Sequence, residues 1–236
     1  MKHIPLPKTK FFGVSKTINE FFDKVVLINL DRRPDRLASA TAECEKIGLK
    51  FERVAAVDGN TLPEKPNFTR AVSALNMTVA QIMRRAISEN WQSLLIIEDD
   101  IEFVAGANTI FYEQIRHVPT DWSMLYLGAF YAIGRTTGES LQEPIKGNIV
   151  RVRKASGGHC FGFHHSLYLE MAEMLERPGT VSDRCDHFHT RQRSYGFMPP
   201  IAYQKEGVFS DITMKDTYRN SGNGRTVYEC HGPVWF

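Results

Sequence analysis

The 236-residue sequence is short of cysteine, of long apolar runs and of net charge, and each shortage excludes something. Its four cysteines, Cys44, Cys160, Cys185 and Cys230, are spread out with no C-x-x-C pair, so no dense disulfide framework is encoded and free thiols in a reducing compartment are expected. The longest apolar stretches, such as Leu94 to Ile97, fall far short of the roughly 20 residues that span a bilayer. Residues 1–24 are basic but broken by Pro5 and Pro7, and lack the apolar core of a signal peptide. A cytoplasmic protein without a transmembrane segment is therefore expected, and the N-x-T triplets at Asn67 and Asn76 carry no meaning there. Lys and Arg number 29 against 27 for Asp and Glu, a net charge of +2, which gives no reason to expect nucleic acid; any membrane association would be peripheral and local. Repeats, low-complexity tracts and interdomain linkers are missing too, so one domain over 1–236 is expected, with 1–23 as an N-terminal extension and 213–236 as a tail. The sequence says nothing about oligomeric state.

What is present is an alternation of strands and helices. The run Val25-Val26-Leu27-Ile28 predicts a strand covered on both faces. Leu37, Ala40, Thr41, Cys44 and Ile47 then recur at helical spacing, with Asp31 as N-cap, Pro34 in the first turn and Gly48 past the end. Residues 50–57 predict a second strand closed by Asp58-Gly59, which completes a βαβ unit. Residues 62–70 read as a loop, and Val79 to Ile87 as an amphipathic helix. Leu94 to Ile97 reads as a buried strand, the segment around Ile110, Phe111 and Ile115 as a helix, and Met124 to Leu127 as a further strand. Residues 131–153, rich in Gly and Pro, suggest an inserted hairpin or loop with a basic strand at 149–153. Helices at 166–177 and 184–194 and a short strand over 197–203 complete the series, and the fold class is α/β with a mostly parallel central sheet.

Two clusters could carry chemistry. Glu98-Asp99-Asp100 places three carboxylates at the carboxyl end of an apolar strand, where open α/β sheets bind ligands; hard oxygens there suit Mg²⁺ or Mn²⁺ bridging to phosphates. Strand alternation would put Glu98 and Asp100 on one side and Asp99 on the other. A solvated acidic turn capping the next helix is the competing account. Asn29-Leu30-Asp31-Arg32-Arg33-Pro34-Asp35-Arg36 brings three arginines to a helix N-terminus, a natural anion site, or else a set of solvated pairs with Asp31 and Asp35.

At these residues the chain resembles glycosyltransferase family 25, which includes bacterial lipopolysaccharide galactosyltransferases and collagen hydroxylysine galactosyltransferases. The resemblance is carried by VVLINLDRRPDRL at 25–37 with FERVAAVDG at 51–59, by LLIIEDDIEF at 94–103, by GGHCFGFHHSLYLEMAEML at 157–175, and by RCDHF at 184–188 followed by KEGVFSDI at 205–212. It implies a single-domain, Rossmann-like GT-A fold, a UDP-sugar donor, a divalent cation (Mn²⁺ or Mg²⁺), and inverting transfer of a hexose such as galactose to a hydroxyl of a glycan, glycolipid or glycoprotein. Carried over by position, Asp100 and Glu98 would hold the metal. Asn29, Arg32, Arg36, Glu98, Asp99, Ser210 and Asp211 would form the donor site, and Asp186, with Asp183 in reserve, would be the general base. His231 or His187 could complete the metal shell.

Ala80-Gln81 stands where many members carry Ser-His. The histidines and cysteines at 159, 160, 164, 165, 185, 187 and 189 match no standard zinc spacing, and buried thiols with partly exposed histidines are the default. Among Trp122, Tyr126, Phe130 and Tyr131, which could stack on a sugar or base, Trp122 and Tyr126 are expected in the core. The alternative to an enzyme is a catalytically degenerate binding or adhesion module on the same fold.

Overall fold

The computed structural model describes residues 16–63, 67–131, 140, 142–153, 155–177 and 193–205. Helix α1 (Ile18–Phe21) opens with Glu20 accepting hydrogen bonds from the Thr17 N–H and hydroxyl, each 2.8 Å. Ile18, Phe21 and Phe22 are buried, so this end of the presumed extension belongs to the core. Strand β1 (Lys24–Asn29) leads to α2 (Pro34–Lys46) and β2 (Glu52–Ala55), then α3 (Asn67–Ser88) leads to β3 (Ser93–Glu98) and the short β4 (Ile101–Phe103). Helix α4 (Ala107–Gln114) precedes β5 (Met124–Tyr131), the hairpin of β6 (Glu143–Lys146) and β7 (Ile149–Arg151), and β8 (Ala155–His164). Helix α5 (Tyr168–Leu175), β9 (Ser194–Phe197) and β10 (Ala202–Gln204) complete the described chain.

Eight strands form one sheet in the order β2-β1-β3-β8-β5-β9-β7-β6, and β10 pairs with β4 in a separate ribbon. Strands β1 and β2, β1 and β3, and β5 and β9 pair in parallel. The remaining pairings are antiparallel, which leaves β8 and β7 running against the other six, so the α/β class and mostly parallel strand direction are as expected. One face buries Val26, Ile28, Leu94, Ile96 and Phe163 against Val79, Met83 and Ala86 of α3 and Met171 and Leu175 of α5. The other buries Val25, Leu27, Leu95 and Ile97 under Phe21 of α1, Ala40 and Cys44 of α2 and Phe111 of α4. Among the described residues no helix is long and apolar enough to cross a membrane.

Several expectations need correction. Asp31 does not cap α2; Arg33 holds that position with Pro34 at N1, and the Asp31 carboxylate instead pairs with Arg53 at 2.5 Å. Helix α3 begins at Asn67, inside the stretch read as a loop. The segment over 197–203 is two strands in two sheets, because Met198-Pro199-Pro200 cannot continue the ladder of β9. The hairpin of β6 and β7 does not stand apart as an insertion: β7 pairs with β9 and extends the main sheet. Strand β8 lies in the middle of the sheet, in a segment whose sequence pattern does not mark a strand. The helix read at 184–194 lies outside the described residues except its end, where Ser194 begins β9. Trp122, Tyr126 and Tyr131 are all buried in the core.

Candidate functional site

From β1 the chain turns one way to β2, and from β3 it continues toward the other side of the sheet, so the crevice at the carboxyl ends of these two adjacent parallel strands is the topological switch point. Ile28 stands opposite Glu98, which brings Asn29 level with the acidic turn. The strand ends at Glu98, and Asp99 and Asp100 form a turn. Strand alternation stops with the strand, so Asp99 and Asp100 do not point apart as expected; both meet Arg36 on the first turns of α2. One guanidinium nitrogen, Nη2, bonds Asp99 Oδ1 and lies 2.9 Å from Asp100 Oδ2, with all three side chains at most 10% exposed.

Asn29 fixes the other side of this group. Its Nδ2 donates to Asp99 Oδ2 at 2.7 Å and to the Arg33 carbonyl at 2.9 Å, while its Oδ1 accepts from Arg53 Nε at 3.1 Å. Arg53, which the sequence did not single out, thereby links Asn29 to Asp31. Burial pushes the Asp99 carboxyl above its usual range and the nearby Asp100 charge adds to this, while Arg36 and Asn29 act in the opposite direction.

Strand β10 closes the site. Gln204 Nε2 donates to Asp100 Oδ2 at 2.9 Å, the Lys205 N–H donates to the Asp100 carbonyl at 2.6 Å, and Lys205 Nζ donates to Ser39 Oγ on α2 at 2.8 Å. Asp100 Oδ1 is buried with no hydrogen-bond partner among the described residues. His159 is also buried, with no hydrogen-bond partner at either ring nitrogen among the described residues; burial lowers its pKa to about 4, opposed by the Asp100 charge and by the Ala202 backbone.

The structure thus brings together Asn29, Arg36, Asp99 and Asp100, with Glu98 half-buried at the end of β3. Arg32 pairs with Asp58 at 2.9 Å, and Arg33 pairs with Asp35, whose carboxyl it holds at about 2, while the Arg33 charge also acts on Asp99. Ala80 packs in the core and Gln81 is exposed. Cys44 and Cys160 are buried thiols, the former pushed up to about 12 by burial. Asp183, Asp186, His187, Ser210, Asp211 and His231 lie outside the described residues.

No family model matches the chain. A protein described as a glycosyltransferase 25 family member from Aedes aegypti is 26% identical over a 155-residue alignment that covers 54% of this chain. The chain is similar to glycosyltransferase family 25. It spans just under a quarter of that relative, the match covering 23% of the insect protein. Among solved structures, A197 from STIV superposes over 84% of this chain and 94% of its own length at 8% identity and a TM-score of 0.41. A glycosyltransferase involved in glycosylation of the major capsid of PBCV-1 superposes over 74% and 92% at 9% identity and the same TM-score.

Proposed function

We propose that the chain is an inverting, metal-dependent glycosyltransferase of the GT-A type that moves a hexose, galactose among the candidates, from a UDP-sugar to a hydroxyl of a glycan, glycolipid or glycoprotein. The observation that carries this reading is the meeting of the acidic turn with the first turns of α2 at the β1/β3 crevice, in the two segments through which the sequence resembles family 25. The ligand set suits a divalent cation, since Asp100 keeps a buried carboxylate oxygen, Oδ1, with no other partner among the described residues. Bound there, Mn²⁺ or Mg²⁺ would offset the diphosphate charge and stabilise the leaving UDP.

The protein's own groups divide the remaining work. Arg36 and the N-terminus of α2 attract the diphosphate, and Asn29 holds Asp99 in register with β1. Asp186, with Asp183 in reserve, takes the acceptor hydroxyl proton on the face opposite the departing UDP. Ser210 and Asp211 help close the donor pocket.

Calorimetry of UDP binding with and without Mn²⁺, on wild type and Asp100→Ala, tests this without knowledge of the acceptor. Mn²⁺-dependent binding that disappears in a folded Asp100→Ala protein is the expected result. Absence of UDP binding by folded wild type in the presence of metal would sink the reading. The engagement of Asp99 and Asp100 by a cation from within the chain favours one competitor, a degenerate binding module, which predicts UDP binding indifferent to metal and no turnover.

A further inference from the structure

His159 has no part in the roles assigned above. It precedes Cys160, whose backbone pairs with Ile97, so the antiparallel register carries it to the end of β3 where the acidic turn begins. A bulge aims it there. Gly128 pairs with Cys160 but Phe130 pairs with Ser156, so β8 spends four residues where β5 spends two. Gly128 leaves room for the result: a Cβ at that position would lie 2.7 Å from His159 Nε2 and closer still to the Ala202 carbonyl. Phe130 stands edge-on to the ring, with centroids 5.4 Å apart. The imidazole is 2% exposed, and neither nitrogen has a hydrogen-bond partner among the described residues.

Buried polar groups are normally paired, so two buried nitrogens without a partner among the described residues direct attention to a ligand. The register sets the acidic turn at the same end of the sheet. Strand β10 lies across both groups, with Ala202 against the His159 ring at one end and the Gln204 amide on Asp100 at the other. These two residues share a face of the strand, their Cα atoms about 7 Å apart. Beneath it the Asp100 charge acts on the His159 ring, and Asp100 Oδ1 is itself without a partner.

We propose that His159 supplies an imidazole nitrogen to the same divalent cation that Asp100 Oδ1 binds, an inference that rests on the metal-dependent reading. Its chemical consequence is selectivity. Carboxylate and water ligands suit Mg²⁺, Ca²⁺ and Mn²⁺ alike, whereas an added imidazole favours a first-row ion such as Mn²⁺ over Mg²⁺ and Ca²⁺. Among the described residues no three His, Cys, Asp or Glu side chains cluster closely enough to hold a metal. Diphosphate oxygens and water would have to complete the shell, so the cation would bind tightly only together with UDP.

Pulsed EPR of the full chain with Mn²⁺ and UDP reads the ligand directly. Wild type is expected to show ¹⁴N modulation from a coordinated imidazole, and His159→Gln to lose it, with at least a tenfold loss of Mn²⁺ affinity and loss of the preference for Mn²⁺ over Mg²⁺. His159→Asn, smaller and still polar, is expected to lose the same signal, which keeps the test available if His159→Gln fails to fold. A wild-type Mn²⁺–UDP complex without imidazole modulation, or modulation that survives unchanged in either variant, would overturn the assignment while leaving the metal-dependent reading intact. Wild type that binds no Mn²⁺ in the presence of UDP would instead remove the reading itself, and this inference with it.

Discussion

Arg36 is the residue on which the acidic turn depends. Two adjacent carboxylates at a strand end repel one another and lose hydration on burial, and a single guanidinium nitrogen answers both. Removing one partner of a buried charge cluster costs more than the pair is worth, because the remaining charge is stranded. Arg36→Ala is therefore expected to destabilise the fold by about 3–5 kcal/mol, read as a lower urea midpoint at unchanged slope. Arg36→Lys should recover only part of this, since an ammonium on a flexible stem cannot reproduce the planar fork. Asn29 gives a sharper, nearly isosteric test. Its Nδ2 donates to Asp99 while its Oδ1 accepts from Arg53, so Asn29→Asp loses the donor and sets a third carboxylate beside Asp99. A loss of about 2–3 kcal/mol is expected at neutral pH, shrinking as acid neutralises the new carboxylate. A variant as stable as wild type would mean that the Asn29–Asp99 bond contributes nothing.

At the scale of elements, the contrast between β3 and β8 shows what a sequence displays. Strand β3 is a run of apolar residues covered on both faces, and nothing but a buried strand accounts for SLLII. Strand β8 is equally central, yet ASGGHCFGFH, with three glycines and two histidines, has the composition of a loop. Gly162 answers a neighbour far away in the chain. A Cβ at Gly162 would lie 2.6 Å or less from the Phe22 ring, so the absence of a side chain there is set by a contact 140 residues distant, which no local pattern reveals. Gly162→Ala is accordingly expected to cost about 1–3 kcal/mol by overpacking, measured by thermal melting, and a neutral result would show that Phe22 can move aside. The break between β9 and β10 lies inside a segment read as one strand, although Pro199 and Pro200, which cannot donate to a ladder, stand at the break. The candidate site divides the same way. Asn29, Arg36, Asp99 and Asp100 are visible as motifs at strand ends, whereas Arg53 and His159 acquire meaning only when β2 and β8 are placed beside β1 and β3.

The whole molecule has two chemically different ends. Its carboxyl edge holds the paired acidic turn; its opposite edge, where β3 begins and β8 ends, holds His164 and His165 with ring centroids 4.2 Å apart. His164 is buried against Trp122, and its Nδ1 lies 3.0 Å from the Ser166 hydroxyl and accepts from the Ser166 N–H at 3.4 Å. Burial, reinforced by His165, lowers the His164 pKa from 6.5 to about 4. The fold therefore prefers the neutral ring, and protons bind more readily to the unfolded chain. The resulting stability is fully present above pH 6.5 and is lost as pH falls toward 4. A fully dry ring would forfeit about 2 kcal/mol between pH 7 and pH 5; with one ring edge near the surface the expected loss is about 1 kcal/mol. His164→Asn keeps an acceptor for Ser166 and cannot titrate. Urea midpoints measured at both pH values should converge for wild type and variant toward pH 5, with wild type losing about 1 kcal/mol more over that interval. Parallel pH profiles would show that His164 charges inside the fold without penalty, and would move the acid sensitivity of the molecule elsewhere.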